Sequence, residues 1–157
     1  MVRTRPPGRW ASLRAEVKVG EDLGPLFVEV ERHVQDQGAR AAQPPVLVVH
    51  ETRSRSRTVE LLIPVDRAIV PSDRVESVFT RAARVASSMV VGGYEPLPEV
   101  VADLRAWAGR TGREVVGSPW YVYLRFAAEE HLRMPEEYLT AQAQELVTEV
   151  QLELREP

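Results

Sequence analysis

The sequence contains no cysteine, and that absence removes disulfides, thiolate nucleophiles and cysteine-ligated zinc or iron–sulfur centres together. Histidine is scarce too, with three residues in 157. His33, His50 and His131 each lack a second ligand at metal-binding spacing, so neither a metal nor another cofactor is expected. Long apolar runs are missing: no window approaches the roughly 20 residues that cross a bilayer. The opening MVRTRPPGRW leads into mixed polar sequence rather than a signal-peptide core. A cytoplasmic protein without membrane association is the expectation. Basic excess is also lacking, since the net charge is -3 and the pI about 5.7, which offers no general attraction to a phosphate backbone and argues against direct nucleic-acid binding. Gly92-Gly93 lacks the phosphate-cradling patterns, and Ser87-Ser88 lacks a nucleophile elbow.

What is present is an ordinary globular composition, 44% hydrophobic and 27% charged, at a length suited to one domain spanning 1–157. Alternation from Trp10 to Val19 predicts a strand. Leu23, Leu26, Phe27, Val30 and Val34 then recur at helical spacing, Gly38 ends that helix, and VLVVH (46–50) and TVELLIPV (58–65) follow as strands. After a linker at 66–73 the order returns: an extended segment within 74–91, a helix carrying Leu97, Val100, Val101, Leu104 and Trp107, a glycine at 112, and the strand WYVYLRF (120–126). Gly38 to Val46 and Gly112 to Trp120 are the same number of steps apart. The expected fold is therefore α+β, a duplicated strand-helix-strand-strand (SHS2) arrangement with pseudo-twofold symmetry about a central cleft. Its first repeat covers 10–65 and its second 74–157, with a helical insertion at 127–146 as a rim or lid.

Strand alternation selects the candidate site. Trp120, Val122, Leu124 and Phe126 share one face of their strand, Tyr121 and Tyr123 the other; in VTEVQLEL the polar set is Glu149, Gln151 and Glu153. If a helix covers the apolar face, Tyr121, Tyr123 and Glu149 project together from the far one. Leu47 and Val49 hold the parity of the two tyrosines in the first half, and Glu60 the position of Glu149. Two aromatic or apolar faces, each with one carboxylate, suit an organic cation; a wet outer sheet face is the alternative. Trp10 fits either core packing or pocket lining. Tyr138, on the insertion helix, could reach the same cleft.

These features carry a resemblance. The run ARVASSMVVGGYEPLPEVVADLRAWAGRTGREVVGSPWYVYL, the end LVTEVQLEL and the first-half segment SRTVELLIPV are similar to the GyrI-like family, the effector-binding domain of AraC- and MerR-type drug-responsive regulators, here in stand-alone form. The resemblance implies a cleft for lipophilic, often cationic, molecules near a buried acid, a role that carries over to Glu149 with Tyr123 as aromatic partner. It also implies two alternatives. One is hydrolysis of cyclopropane-containing genotoxins by Glu149 and Tyr123, with the Glu149 pKa raised by burial; the other is a protein partner such as gyrase. About ten residues precede the first expected strand, so direct control of transcription is not expected.

Overall fold

A computed structural model describes residues 1–125 and 143–156. The elements are β1 (Val2–Arg5), β2 (Gly8–Lys18), α1 (Gly24–Asp36), β3 (Val46–Thr52), β4 (Ser56–Pro64), β5 (Val75–Thr80), β6 (Ala83–Val91), α2 (Leu97–Arg110), β7 (Val115–Arg125) and β8 (Val147–Leu154), with a 3-10 turn at Ala143–Glu145 before the last strand. This is an α+β fold, as expected. Most of the expected insertion helix, and Tyr138 and His131 with it, lie outside the described residues.

Both helices follow from their sequences. Pro25 and Pro98 sit in first turns, where a missing N–H breaks no helical bond. Gly38 at φ +64° and Gly112 at φ +72° take the left-handed conformation that ends each helix and disfavours a side chain. Val30 and Val34 of α1 and Leu97, Leu104 and Ala108 of α2 are buried against the sheet. No helix among the described residues is long and apolar enough to cross a membrane.

All eight strands form one antiparallel sheet in the order β1-β6-β8-β7-β3-β4-β2-β5. Either end gives the same succession: an edge strand, then the first, third and second strands of a half, with β7 and β3 meeting in the middle. Two strands lay outside the expected set. β1 had no counterpart, and the extended segment within 74–91 is two strands. Each is an edge strand that pairs across the molecule, β1 with β6 and β5 with β2.

The helices share one face of the sheet, α1 over β2 and β4, α2 over β6, β7 and β8. Leu47, Val59, Leu61, Val150 and Leu152 are buried beneath them. The sheet curls away from the helices into a half-barrel. Trp10 of β2 and Trp120 of β7 stand three strands apart, roughly 14 Å in a flat sheet at the usual strand spacing, yet their rings meet edge to face at 5.8 Å. Such contact between side chains that stand off the same face fits a sheet curled toward that face, the inner face.

Candidate functional site: an acidic and aromatic inner face

Cross-strand register decides which residues share this inner face. Val122 lies opposite Glu149 and Tyr121 opposite Val150; Val48 lies opposite Glu60 and Trp120. Glu60 and Glu149 therefore share the inner face with Trp10, Val48, Trp120 and Val122. Trp10, Val46, Val48 and Leu62 form a small apolar cluster there, packed against Trp120 and Val122. The expected pairing of two carboxylates with apolar and aromatic side chains exists, with different partners.

Tyr121, Tyr123, Leu47 and Val49 lie on the helix face, opposite the acids, which corrects the expected grouping. Leu47 is directly across from Tyr121, and both belong to the core beneath the helices. Tyr123 meets Phe27 of α1 at 5.9 Å and Tyr94 at 5.5 Å, edge to face in each case. Burial pushes the phenols of Tyr94, Tyr121 and Tyr123 up, Tyr123 most of all. These rings are neutral packing elements on the far side of the sheet from both carboxylates, so the concerted Glu149–Tyr123 mechanism lacks its geometry.

The two acids differ in their partners. Glu149 is 4% exposed and accepts from Arg3 through Nε at 2.9 Å and Nη2 at 2.5 Å, and from Gln151 Nε2 at 2.9 Å. Burial acts to raise its pKa, but the hydrogen bonds from Arg3, Gln151 and Ser87 and the Arg3 charge outweigh it, and the carboxyl lies below its ordinary value. The expected raised pKa is thus reversed. Arg5, two residues along β1, lies 3.6 Å above the Trp120 ring. Its longer bonds go to Gln151 at 3.3 Å and Glu153 at 3.4 Å, and its buried Nε has no hydrogen-bond partner among the described residues.

Glu60 has no arginine partner among the described residues. Ser12 Oγ donates to it at 2.5 Å, and His50 Nε2 lies 2.8 Å away. A carboxylate only accepts, so His50 Nε2 carries a proton toward it, while His50 Nδ1 lies 3.1 Å from Ser118 Oγ. Ser12, Arg3, Arg5, His50 and Ser118 were not singled out from sequence for this site; each is a short or charged residue whose role depends on strand register. His33 instead contacts the Val70 carbonyl at 2.7 Å, and no metal-binding cluster of side chains occurs among the described residues.

No protein family known from sequence matches the chain, nor does any curated protein sequence. Solved structures do. The EcmrR C-terminal domain superposes with a TM-score of 0.78 at 14% identity, covering all of this chain and 97% of that one. The chain has the GyrI-like fold. The chain spans 57% of EcmrR in its DNA complex, at TM-score 0.77 and 15% identity. A hydrolase from Listeria innocua matches at TM-score 0.60 and 13% identity, over 98% of this chain and 91% of that one. SAV2435 bound to tetraphenylphosphonium matches at TM-score 0.57 and 8% identity, over 99% and 93%.

Proposed function

We propose that this GyrI-like chain binds apolar, cationic organic molecules on the inner face of its sheet, at the end that carries Trp10 and Glu60. The observation that carries this reading is the shared face: two acids stand on the same face as two tryptophans whose rings meet, and ring faces with carboxylates on one surface attract a cation that also seeks apolar contact. A similarly folded protein holds a cation of this kind, tetraphenylphosphonium. Glu60 supplies the counter-charge, because its partners are a hydroxyl and an imidazole, whereas the Glu149 charge is matched by Arg3. The test is titration with tetraphenylphosphonium followed by tryptophan fluorescence. Binding at micromolar level, about -8 kcal/mol, is expected, weakened about tenfold or more by Glu60→Gln. A wild type that binds no tighter than about millimolar overturns the reading.

A second reading is supported by the 2.8 Å contact between His50 and Glu60. An imidazole oriented by a carboxylate is a general-base unit, and a hydrolase shares the fold. A His50→Gln variant that abolishes turnover of an electrophilic ligand while retaining its binding would select this reading.

A further inference from the structure

The two ends of the inner face follow one pattern of register, with a serine of the neighbouring strand diagonal to each carboxylate. Glu60 receives the Ser12 hydroxyl from β2, and Ser87 of β6 holds the corresponding place beside Glu149, where it favours the charged carboxylate. Register continues the correspondence outward. Ser12 lies opposite Leu62 and Ser87 opposite Gln151. On the edge strands, Val78 faces Trp10 and Thr80 faces Gly8 on one side; Arg3 faces Val85 and Arg5 faces Ala83 on the other. Val78 and Thr80 thus hold the places that Arg3 and Arg5 hold. The two ends differ because one edge strand brings two guanidinium groups and the other brings a valine and a threonine.

Those guanidinium groups occupy the two features that would receive an organic cation. Arg3 makes a two-pronged contact with the buried Glu149 carboxylate, and the Arg5 guanidinium lies over the Trp120 ring. Arg5 is 7% exposed and has an unpartnered buried Nε among the described residues. A guanidinium held out of water without full hydrogen bonding is costly, and burial lowers the Arg5 pKa accordingly. β1 is an edge strand four residues long, paired on one side only, and the Arg3 side chain is 39% exposed. It can swing into water without unmaking the sheet.

We propose that β1 supplies a resident cation to the site: Arg3 and Arg5 take the place of a ligand at the Glu149 end, which stays closed to organic cations while they remain. This rests on the reading of the inner face as a cation site and adds its regulation. Ligand binding at Glu60 proceeds with the arginines in place, and binding at Glu149 requires Arg3 to leave. Removing Arg3 therefore creates affinity rather than destroying it.

The test compares wild type, Arg3→Ala, Arg3→Gln and the double variant Arg3→Ala with Glu149→Gln, titrated with tetraphenylphosphonium by calorimetry with a thermal melt of each. Arg3→Gln keeps a neutral donor beside the carboxylate and covers the case in which Arg3→Ala does not fold. The expected result is an added or strengthened binding event, about tenfold or more tighter than wild type at this end, in both single variants, and its loss in the double variant. Single variants that are folded and bind as wild type overturn the proposal while leaving cation binding intact. If wild type is silent and the single variants bind, the resident cation stands and the wild-type binding reading falls. If none binds, both fall.

Discussion

Replacing Glu149 by glutamine probes the charge at the closed end of the site. The carboxylate is 4% exposed and takes two charge-assisted hydrogen bonds from Arg3, with a further donor in Gln151. Hydrogen bonds to a charged group contribute about 1.5–3 kcal/mol. The guanidinium released by the substitution can turn toward water because Arg3 is 39% exposed, so the loss stays below the about 3–5 kcal/mol of stranding a fully buried charge. We expect Glu149→Gln to cost about 2 kcal/mol near neutral pH, or roughly 4–8 °C in melting temperature for a chain of this length. The pH dependence follows from the direction of the shift. A carboxyl whose folded pKa lies below its unfolded value of 4.5 stabilises fully above that value and loses the contribution as pH falls through the folded pKa. The gap between wild type and variant, measured by urea denaturation, should therefore be widest near neutral pH, begin to close below about 4.5, and keep narrowing as pH falls through the folded pKa. A gap that stays constant across that range would refute the argument, since the loss would then owe nothing to the charge.

Two predictions concern the frame. Leu61, fully buried between the sheet and the helices, should cost about 2–5 kcal/mol when replaced by alanine, read as a lower urea midpoint with unchanged slope. Arg40 contacts buried Glu31 through Nε at 3.0 Å and donates to the Ala41 and Gln43 carbonyls. Arg40→Met should strand Glu31 at a cost of about 3–5 kcal/mol, and adding Glu31→Leu should recover most of it in a thermal melt.

The helices were legible because each buries one stripe, and the apolar spacing of Leu26, Val30 and Val34 or Leu97, Val101 and Leu104 has no other use. β8 was legible for the same reason, as Thr148, Val150, Leu152 and Leu154 do face the helices. β7 was not, because both its faces are covered: Tyr121 and Tyr123 pack under the helices while Trp120 and Val122 line the inner face. A strand apolar on both sides carries no parity signal, and the register that pairs Val122 with Glu149 lies in the contact between strands. Leu47 and Val49 share a face with the tyrosines, but that face lies under the helices. β1 escaped notice because VRTR before Pro6-Pro7 has the charged look of a tail; edge strands are often charged, which protects their open side. With β1 unrecognised, nothing in the sequence pointed to Arg3 beside Glu149.

The edge strands also bear on how the molecule is assembled. β1 is joined to β2 by a two-residue link but pairs with β6, and β5 is joined to β6 by an equally short link but pairs with β2. Each half thus lends an arm to the other, like a pair of clasped forearms. A chain severed in the 66–73 linker would leave the first piece with a β1 that has nothing to grip and a β2 with one side bare, and the second piece with the same pair of defects. Most contacts that would repair them span many tens of residues, so ring closure precedes any reward. The smallest unit of this molecule that can complete its own sheet is therefore the pair of halves together.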